Sequence, residues 1–402
     1  MSQPSIEALA IAYLASQGKT QIQIAGILKM SQAAVSRLYH EVKDTYIERS
    51  FRRELVDDLT WRRLLRRASP LQLATRLQAV AQERGHSAPH VYVIPLREPS
   101  DVPLAEVFAM QSAPIVRDLL MRVRTTVGIA WGNTIWHITQ ALRTLPPQKP
   151  WRQIPIDFVP LCGDPLIDSV ECYADRTASR IASDLSKIVN GDSTRPAWLG
   201  LVPAFIPRHD FNERETKVID RFIDLVPQYG PIFGPRISRG RSKPPIAEDL
   251  HMILTAVGPA EYPVTFGRSA LLGLDDHEAK TLRQHIYGDI AGVLLPRIRE
   301  TSKQQRRRTK PHPLVQELSR HWTGLKMEHL ENCASRAFQD KSGLGERPGV
   351  TVIAFGTDRC NVVLEAVRKG LVNHLVISSY LEDALEERLS GTKTRWDHTL
   401  IK

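Results

Sequence analysis

Cysteine is scarce in this chain: four residues, Cys162, Cys172, Cys333 and Cys360, among 402. None lies at C-x-x-C spacing and no His partners cluster beside them, which argues against a zinc site or a disulfide framework. A reducing cytoplasm is then the expected setting. Long apolar runs are missing too. No stretch reaches the roughly 18 apolar residues of a membrane span, so no membrane contact is expected. The opening Met-Ser-Gln-Pro-Ser lacks the basic-then-apolar layout of a secretory signal. Catalytic signatures are also absent: there is no G-x-S-x-G elbow, no H-E-x-x-H and no G-x-x-x-x-G-K-[ST] loop. The 13 His residues are scattered, and no internal repeat or low-complexity tract is evident. No metal, cofactor or catalytic residue is therefore expected.

What is present is a long chain with enough apolar residues, 42%, for real cores. The length suggests two or three domains. Its formal charge of +10 is unevenly placed. Residues 1–85 hold 13 Lys/Arg against 8 Asp/Glu, residues 296–310 hold 7 against one, and the remainder is near neutral. A basic N-terminal segment suits phosphate contacts, which dominate non-specific affinity for DNA. The Arg306-Arg307-Arg308 run reads as a solvated loop first and a nucleic-acid contact second.

Residues Gln21 to Leu38, Q-I-Q-I-A-G-I-L-K-M-S-Q-A-A-V-S-R-L, carry the clearest pattern. Ile24, Ala25, Ile27 and Leu28 repeat at helical spacing, Lys29-Met30 breaks the repeat, and Ser31 is a good N-cap for a second helix. There Val35 and Leu38 point inward, leaving Ser31, Gln32, Ala33, Ser36 and Arg37 on an outer face. Short side chains allow close approach to a major groove, and Gln, Ser and Arg can reach base edges and phosphates. The plain alternative is a helical hairpin whose polar residues merely face solvent. Ile6 to Ser16 reads as a preceding helix, with Ala8, Ile11, Ala12 and Leu14 inward and Gly18 closing it. Glu41 to Arg67 reads as a charged helical connector.

From Ser69 helices alternate with short β-rich runs. Strands are expected at His90–Pro95, Val127–Trp131 and Ile156–Leu161, with further short apolar runs at Ala197–Val202, His251–Val257, Val350–Phe355 and His374–Ser378. Helices are expected at Leu71–Arg84, Val107–Val123 and Ile135–Leu142. Such alternation argues for an α/β domain around a largely parallel sheet. The organisation expected is a helix-turn-helix domain over 1–45, a basic helical connector over 46–68 and an α/β domain over 69–402. A polar, basic surface excursion is expected over 297–349.

In open parallel sheets, ligands bind where strands end and helices begin. Trp131-Gly132-Asn133-Thr134 is the best such junction: Gly132 permits close backbone approach, and Asn133 and Thr134 would point N–H groups and a hydroxyl at an anion. Phe355-Gly356-Thr357-Asp358-Arg359 offers the same chemistry with a cation. Tyr287–Gly292 carries Asp289, able to accept from sugar-like hydroxyls or simply to cap a turn. The Leu161–Asp164 turn adds Gly163, and the segment Tyr173–Ala178 could add Arg176 or Thr177. His137 reads as a packing or capping residue, and Cys162 and Cys360 as small buried thiols.

The motifs S-Q-A-A-V-S-R-L (31–38), T-R-L-Q-A-V-A-Q-E-R-G-H-S-A-P-H-V-Y-V-I-P (75–95), V-G-I-A-W-G-N-T (127–134), Y-G-D-I-A-G (287–292) and L-E-A-V-R-K-G-L-V-N-H-L-V-I (364–377) fall in one order along the chain. Together they resemble the SorC family of bacterial sugar-responsive transcriptional regulators. The resemblance implies a helix-turn-helix head and a Rossmann-like α/β effector domain. That domain is related in fold to sugar-phosphate isomerases and deaminases but lacks their activity. It implies a phosphorylated sugar as effector, double-stranded operator DNA as partner, and a homodimer or homotetramer acting as repressor or activator. It places Gly132, Asn133 and Thr134 in the anion-binding loop and Asp289 against the sugar hydroxyls. Arg359 stands where the family typically carries a Lys, which keeps the charge but changes donor geometry. The chain departs from the family at Ile377-Ser378, where a Thr-Asp pair is usual, and in the long basic 297–349 stretch. Two rival readings are an isomerase- or deaminase-like enzyme with a DNA-binding head, and a recombinase or transposase. The first lacks an assembled base, the second a spaced set of metal-binding carboxylates.

Overall fold

The computed structural model describes residues 4–16, 19–47, 56, 60, 71–96, 103–145, 155–164, 176–191, 199, 202–206, 208, 213–236, 244–260, 273–297, 310–339 and 347–390. Most of the 46–68 connector, Gly18, Gly343, Gly345 and the basic residues 298–309 lie outside them.

The chain begins with three helices, α1 (Ile6–Ser16), α2 (Gln21–Leu28) and α3 (Gln32–Tyr46). Thr20 caps α2 in a reciprocal box: its hydroxyl accepts from Gln23 N–H at 3.3 Å, and its own N–H donates to Gln23 Oε1 at 2.8 Å. Lys29 ends α2 in a left-handed conformation, φ 54°, and the following Met30 N–H donates back to the Ala25 carbonyl at 3.0 Å. This tight reversal is the turn between the two helices. Ser31 then caps α3, accepting from Ala34 N–H at 3.3 Å. Ile24, Leu28, Val35 and Val42 are buried between the helices, while Ala25, Ile27 and Leu38 are half-buried.

The α/β domain opens with α4 (Leu71–Gln82) and runs through β1 (His90–Ile94), α5 (Leu104–Arg122), β2 (Thr126–Ile129), α6 (Asn133–Thr144), β3 (Asp157–Pro160) and α7 (Ala178–Asn190). Next come α8 (Glu213–Asp224), α9 (Tyr229–Phe233), β4 (Met252–Pro259), α10 (Asp276–His285), β5 (Ile286–Ile290) and β6 (Val293–Pro296). It closes with α11 (Pro313–His321), α12 (Met327–Gln339), β7 (Gly349–Ala354), α13 (Cys360–Arg368), β8 (His374–Ser378) and α14 (Ser379–Ser390). Six strands form a parallel sheet in the order β1-β8-β7-β4-β2-β3. Central strands β7 and β8 are buried at every residue, the near-continuous apolar pattern of strands covered on both faces. On one face Tyr92, Ile94, Val127, Ile129, Met252, Leu254, Ile353 and Val376 meet α5, α6 and α7. On the other Val93, Ile253, Val350, Val352, Leu375 and Ile377 meet α4, α12, α13 and α14.

Two expectations fail. The stretch Tyr287–Gly292 is not a simple loop: β5 and β6 form an antiparallel hairpin turned at Ala291-Gly292, and β5 pairs with the extended end of β4. Glycines at 288 and 292 obscure the strand period. The described end of the Ala197–Val202 run joins no strand of the sheet; the neighbouring Pro203 makes only an isolated bridge to Asp164. Within 297–349, α11 and α12 pack into the domain, and Trp322 between them is 2% exposed. Arg208 ties α10 to α11, donating from Nη1 to Glu278 Oε2 at 2.8 Å and from Nε to Glu317 Oε1 at 2.6 Å.

The hairpin is seated on Trp322. Gly292 has φ +80°, and a Cβ there would lie 2.2 Å from Trp322 Cζ2. Gly292→Ala is therefore expected to cost at least about 2 kcal/mol through backbone strain and overpacking, measured by chemical denaturation. Stability within about 0.5 kcal/mol of the parent, the range of neutral surface changes, would contradict this packing.

Candidate functional site

Strands β2 and β4 lie side by side, but the chain leaves them in opposite directions: from β2 outward to β3, and from β4 toward β7 and β8. The loops above their carboxyl ends diverge there, which opens the crevice where ligands bind in such sheets. The loop after β2 is Ala130 to Thr134. Gly132 holds φ +126°, a conformation that L side chains rarely adopt, and a Cβ there would meet nothing within 4 Å. The glycine is thus required by the backbone and not by crowding. It is the N-cap of the 12-residue α6 and brings no capping side chain, so the first-turn N–H groups of Asn133 and Thr134 stand at a positive helix end that the cap residue does not satisfy. Asn133 is exposed, and Gly132 and Thr134 are half-exposed.

Arg176 joins this loop from the start of α7. Its carbonyl accepts from Gly132 N–H at 3.3 Å, and its guanidinium lies over the Trp136 ring, 4.8 Å from the centroid. His137 beside them is held below the usual imidazole range by burial; Glu106 pulls it back up and Arg176 pushes it further down.

Gly163 does not face the crevice. A Cβ on it would lie 2.0 Å from the Val202 carbonyl oxygen, so its close approach is to its own chain. The next residue, Asp164, was not singled out as a site residue. Its Oδ1 is buried with no hydrogen-bond partner; burial raises its carboxyl, and a hydrogen bond from Thr177 lowers it. Its position directly beyond a strand end is the one sequence signal that marks it. Burial, reinforced by Asp164, pushes the Cys162 thiol up, and burial likewise raises Cys360 to about 11. Neither is poised as a nucleophile.

Asp289 sits at the base of the hairpin and is 7% exposed. Its Oδ1 accepts from Gly292 N–H at 3.0 Å. Its Oδ2 faces the Cα of Gly258 on β4, where a Cβ would come within 2.3 Å. The neighbouring Gly288 packs on Val362 near the start of α13, which places the hairpin beside the loop after β7. In that loop Gly356, φ +99°, lets Arg359 fold back, and Arg359 Nη1 pairs with Asp358 Oδ1 at 2.5 Å. Gly132, Asn133, Thr134, Asp289, Gly356 and Arg359 thus all lie at the carboxyl edge of the sheet. Thr357 and Asp358 are exposed there.

At the other end of the chain, Ser31, Gln32, Ala33 and Arg37 are exposed and Ser36 is half-buried, along one side of α3. Lys29 and His40 are exposed next to them and Lys43 is half-buried, so the outer face of α3 is basic or neutral near its N-terminus. Among the described residues no group of three His, Cys, Asp or Glu side chains could hold a metal ion, and no described helix is long and apolar enough to cross a membrane.

No protein-family model matches the sequence, and no curated protein matches it. Solved structures do. A transcriptional regulator from Streptococcus pneumoniae TIGR4 is similar with a TM-score of 0.50 and 15% identity, over 79% of this chain and 98% of that one. The full-length sorbitol operon regulator SorC from Klebsiella pneumoniae aligns over 95% of this chain and 98% of its own, with a TM-score of 0.46 and 17% identity. A DeoR family transcriptional regulator from Listeria monocytogenes covers 78% and 98%, with a TM-score of 0.48 and 18% identity. At such identities the likeness is one of fold. The expected fold is met: an N-terminal helical head and an α/β domain of the kind found in these regulators.

Burial raises the Asp289 carboxyl to about 7, above the roughly 3.9 of an unfolded Asp. The folded state therefore holds the proton more tightly. Its stabilisation is complete below about pH 4 and is lost as pH rises to about 7, by at most about 1.4 kcal/mol per unit. Asp289→Asn should flatten this part of the stability–pH curve in denaturant titrations. An unchanged slope would mean that Asp289 is not the buried acid described.

Proposed function

We propose that the chain is a DNA-binding transcriptional regulator whose helix-turn-helix head is governed by a small phosphorylated sugar bound at the carboxyl edge of the sheet. The observation that carries the reading is the pairing, in one chain, of an uncapped Gly132–Thr134 helix start at a sheet crevice with an exposed recognition face on α3. Phosphate on the first-turn N–H groups of α6 would gain from the helix dipole and from the Arg176 cation. Asp164 would accept from sugar hydroxyls, Asp289 would hold the hairpin turn beside them, and Arg359 would supply a second positive group. Gly163 serves this site only by shaping the β3 turn.

On the DNA side, Gln32, Ala33 and Ser36 would approach base edges. Ser31 and Arg37 would contact phosphate or a base at the groove wall. Two heads related by a dyad would match a pseudo-palindromic operator, which calls for a homodimer or homotetramer. The ligand would act by binding one arrangement of the domains better than another.

A second reading draws on Asp289 alone, since a carboxyl poised near pH 7 suits proton transfer. That reading makes the chain a sugar-phosphate isomerase or deaminase. The geometry speaks against it: Oδ1 is engaged by Gly292 and Oδ2 is walled in by Gly258. Release of product from sugar phosphates by the purified chain, abolished in Asp289→Asn, would favour the enzyme.

Two substitutions test the regulator. Arg37→Ala should weaken binding to a duplex selected from random sequence by the protein itself, by about 1–3 kcal/mol for a base contact. If Arg37 instead meets phosphate, the salt dependence should drop by about one charge; unchanged affinity and slope in anisotropy titrations would remove α3 from the interface. Thr134→Trp should abolish the thermal shift given by the best of a panel of sugars and sugar phosphates while leaving DNA affinity intact. A preserved shift would place the ligand elsewhere.

A further inference from the structure

Residues Ala8 to Leu14 of α1 are each at most 2% exposed. A helix in a free three-helix head buries one stripe and shows the other to water. Here the sequence IEALAIAYLAS is apolar on every side, so both sides must be covered. Ile24, Leu28, Val35 and Val42 of α2 and α3 cover one. The other joins the α/β domain, because the head and the α5 face of the sheet share one apolar core that includes Tyr92, Ile94, Leu96 and Phe108.

Polar contacts mark the joint. The Tyr13 hydroxyl donates to the carbonyl of Val93 at 3.0 Å, in a buried hydrogen bond. Val93 lies on β1, an edge strand of the sheet, so this bond ties α1 to that edge. Lys19, in the turn after α1, lies within electrostatic reach of Glu382 and Asp383 on the first turn of α14. Glu382 is only 3% exposed. Burial pushes its carboxyl up, with help from Glu386 and Asp383, and Lys19 pulls it down.

This corner lies where β1 and β8 end, at the ligand edge. Leu96 N–H donates to Ser379 Oγ at 3.1 Å, and Leu381 N–H to Ser378 Oγ at 3.3 Å. Phe355, which leads into the Gly356 loop, packs on Phe108 of α5 with ring centroids 5.5 Å apart. Gln32, Ala33 and Arg37 stay exposed in this arrangement, so docking leaves the recognition face open.

We infer that α1 belongs to the effector domain as much as to the head, and that it mounts the recognition helix on the β1–α14 corner through the shared apolar core and the Tyr13–Val93 hydrogen bond. The DNA head then moves with the ligand edge as one body and does not swing on the 46–68 connector. The regulatory consequence rests on the function proposed above; the joint itself does not.

Hydrogen exchange by mass spectrometry on the full chain, with neither DNA nor sugar, decides it. Amides of residues 10–14 should exchange within about tenfold of those in β1 and β8, as one cooperative unit. Exchange about a hundredfold faster than β8, in step with α2 and α3, would overturn the joint. Tyr13→Phe should speed exchange over residues 10–14 about fivefold or more with β7 and β8 unchanged. No change in this variant would overturn the contact assigned, and if it fails to fold the parent measurement stands alone. A slowly exchanging α1 in a chain that binds no DNA would sink the regulator reading and leave the joint intact.

Discussion

The parallel register of the six-stranded sheet is the constraint on which the rest of this structure depends. Parallel neighbours cannot be joined by tight turns, so each connection must cross a face of the sheet and cover it. With helices on both faces, the surfaces left for function are the strand ends and the sheet edges. All six strands point their carboxyl ends one way, and the Gly132 and Gly356 loops rise there together with the β5–β6 hairpin. One edge strand, β1, is tied to α1 by the Tyr13–Val93 hydrogen bond. Ligand chemistry and head attachment thus follow from one topological choice.

That choice also explains how polar groups are handled. Asp289, Asp164 and Glu382 are carboxylates drawn into or under the domain, and burial raises the carboxyl of each. Asp289 and Asp164 sit among the strand-end turns, where Gly292 N–H offsets part of the desolvation of Asp289; Glu382 sits near the start of α14. The basic charge lies elsewhere, mostly in residues 46–68, which follow the head, and in residues 296–310. A basic segment beside the head suits phosphate contact next to the recognition helix.

Much of this was legible in the residues. Ser31 is a capping residue, so the turn and the start of the second helix are legible in the sequence, whereas the Thr20–Gln23 box that opens α2 was not singled out. Buried parallel strands such as Val350–Phe355 and His374–Ser378 announce themselves as short apolar runs. The hairpin did not, because Gly288 and Gly292 read as turn residues although only Gly292 turns the chain; Gly288 lies in a strand whose lack of a side chain lets β4 and Val362 approach. Gly163 was read as a ligand-loop residue, but what approaches it is the Val202 backbone, a contact that only tertiary structure creates. Arg176 was visible as a helix-start cation, yet its seat on Trp136 depends on α6 and α7 lying side by side. The burial of α1 was written in its uniform apolar sequence, while its position between head and sheet edge was not.

In the function proposed above, a ligand at the sheet edge sets how the head holds DNA. The most direct test is an anisotropy titration of a self-selected duplex at fixed salt, with and without the sugar phosphate that most raises the melting temperature. A change in DNA affinity of at least about fivefold, roughly 1 kcal/mol of coupling, is the predicted result. A ligand that binds tightly and leaves DNA affinity untouched would contradict it.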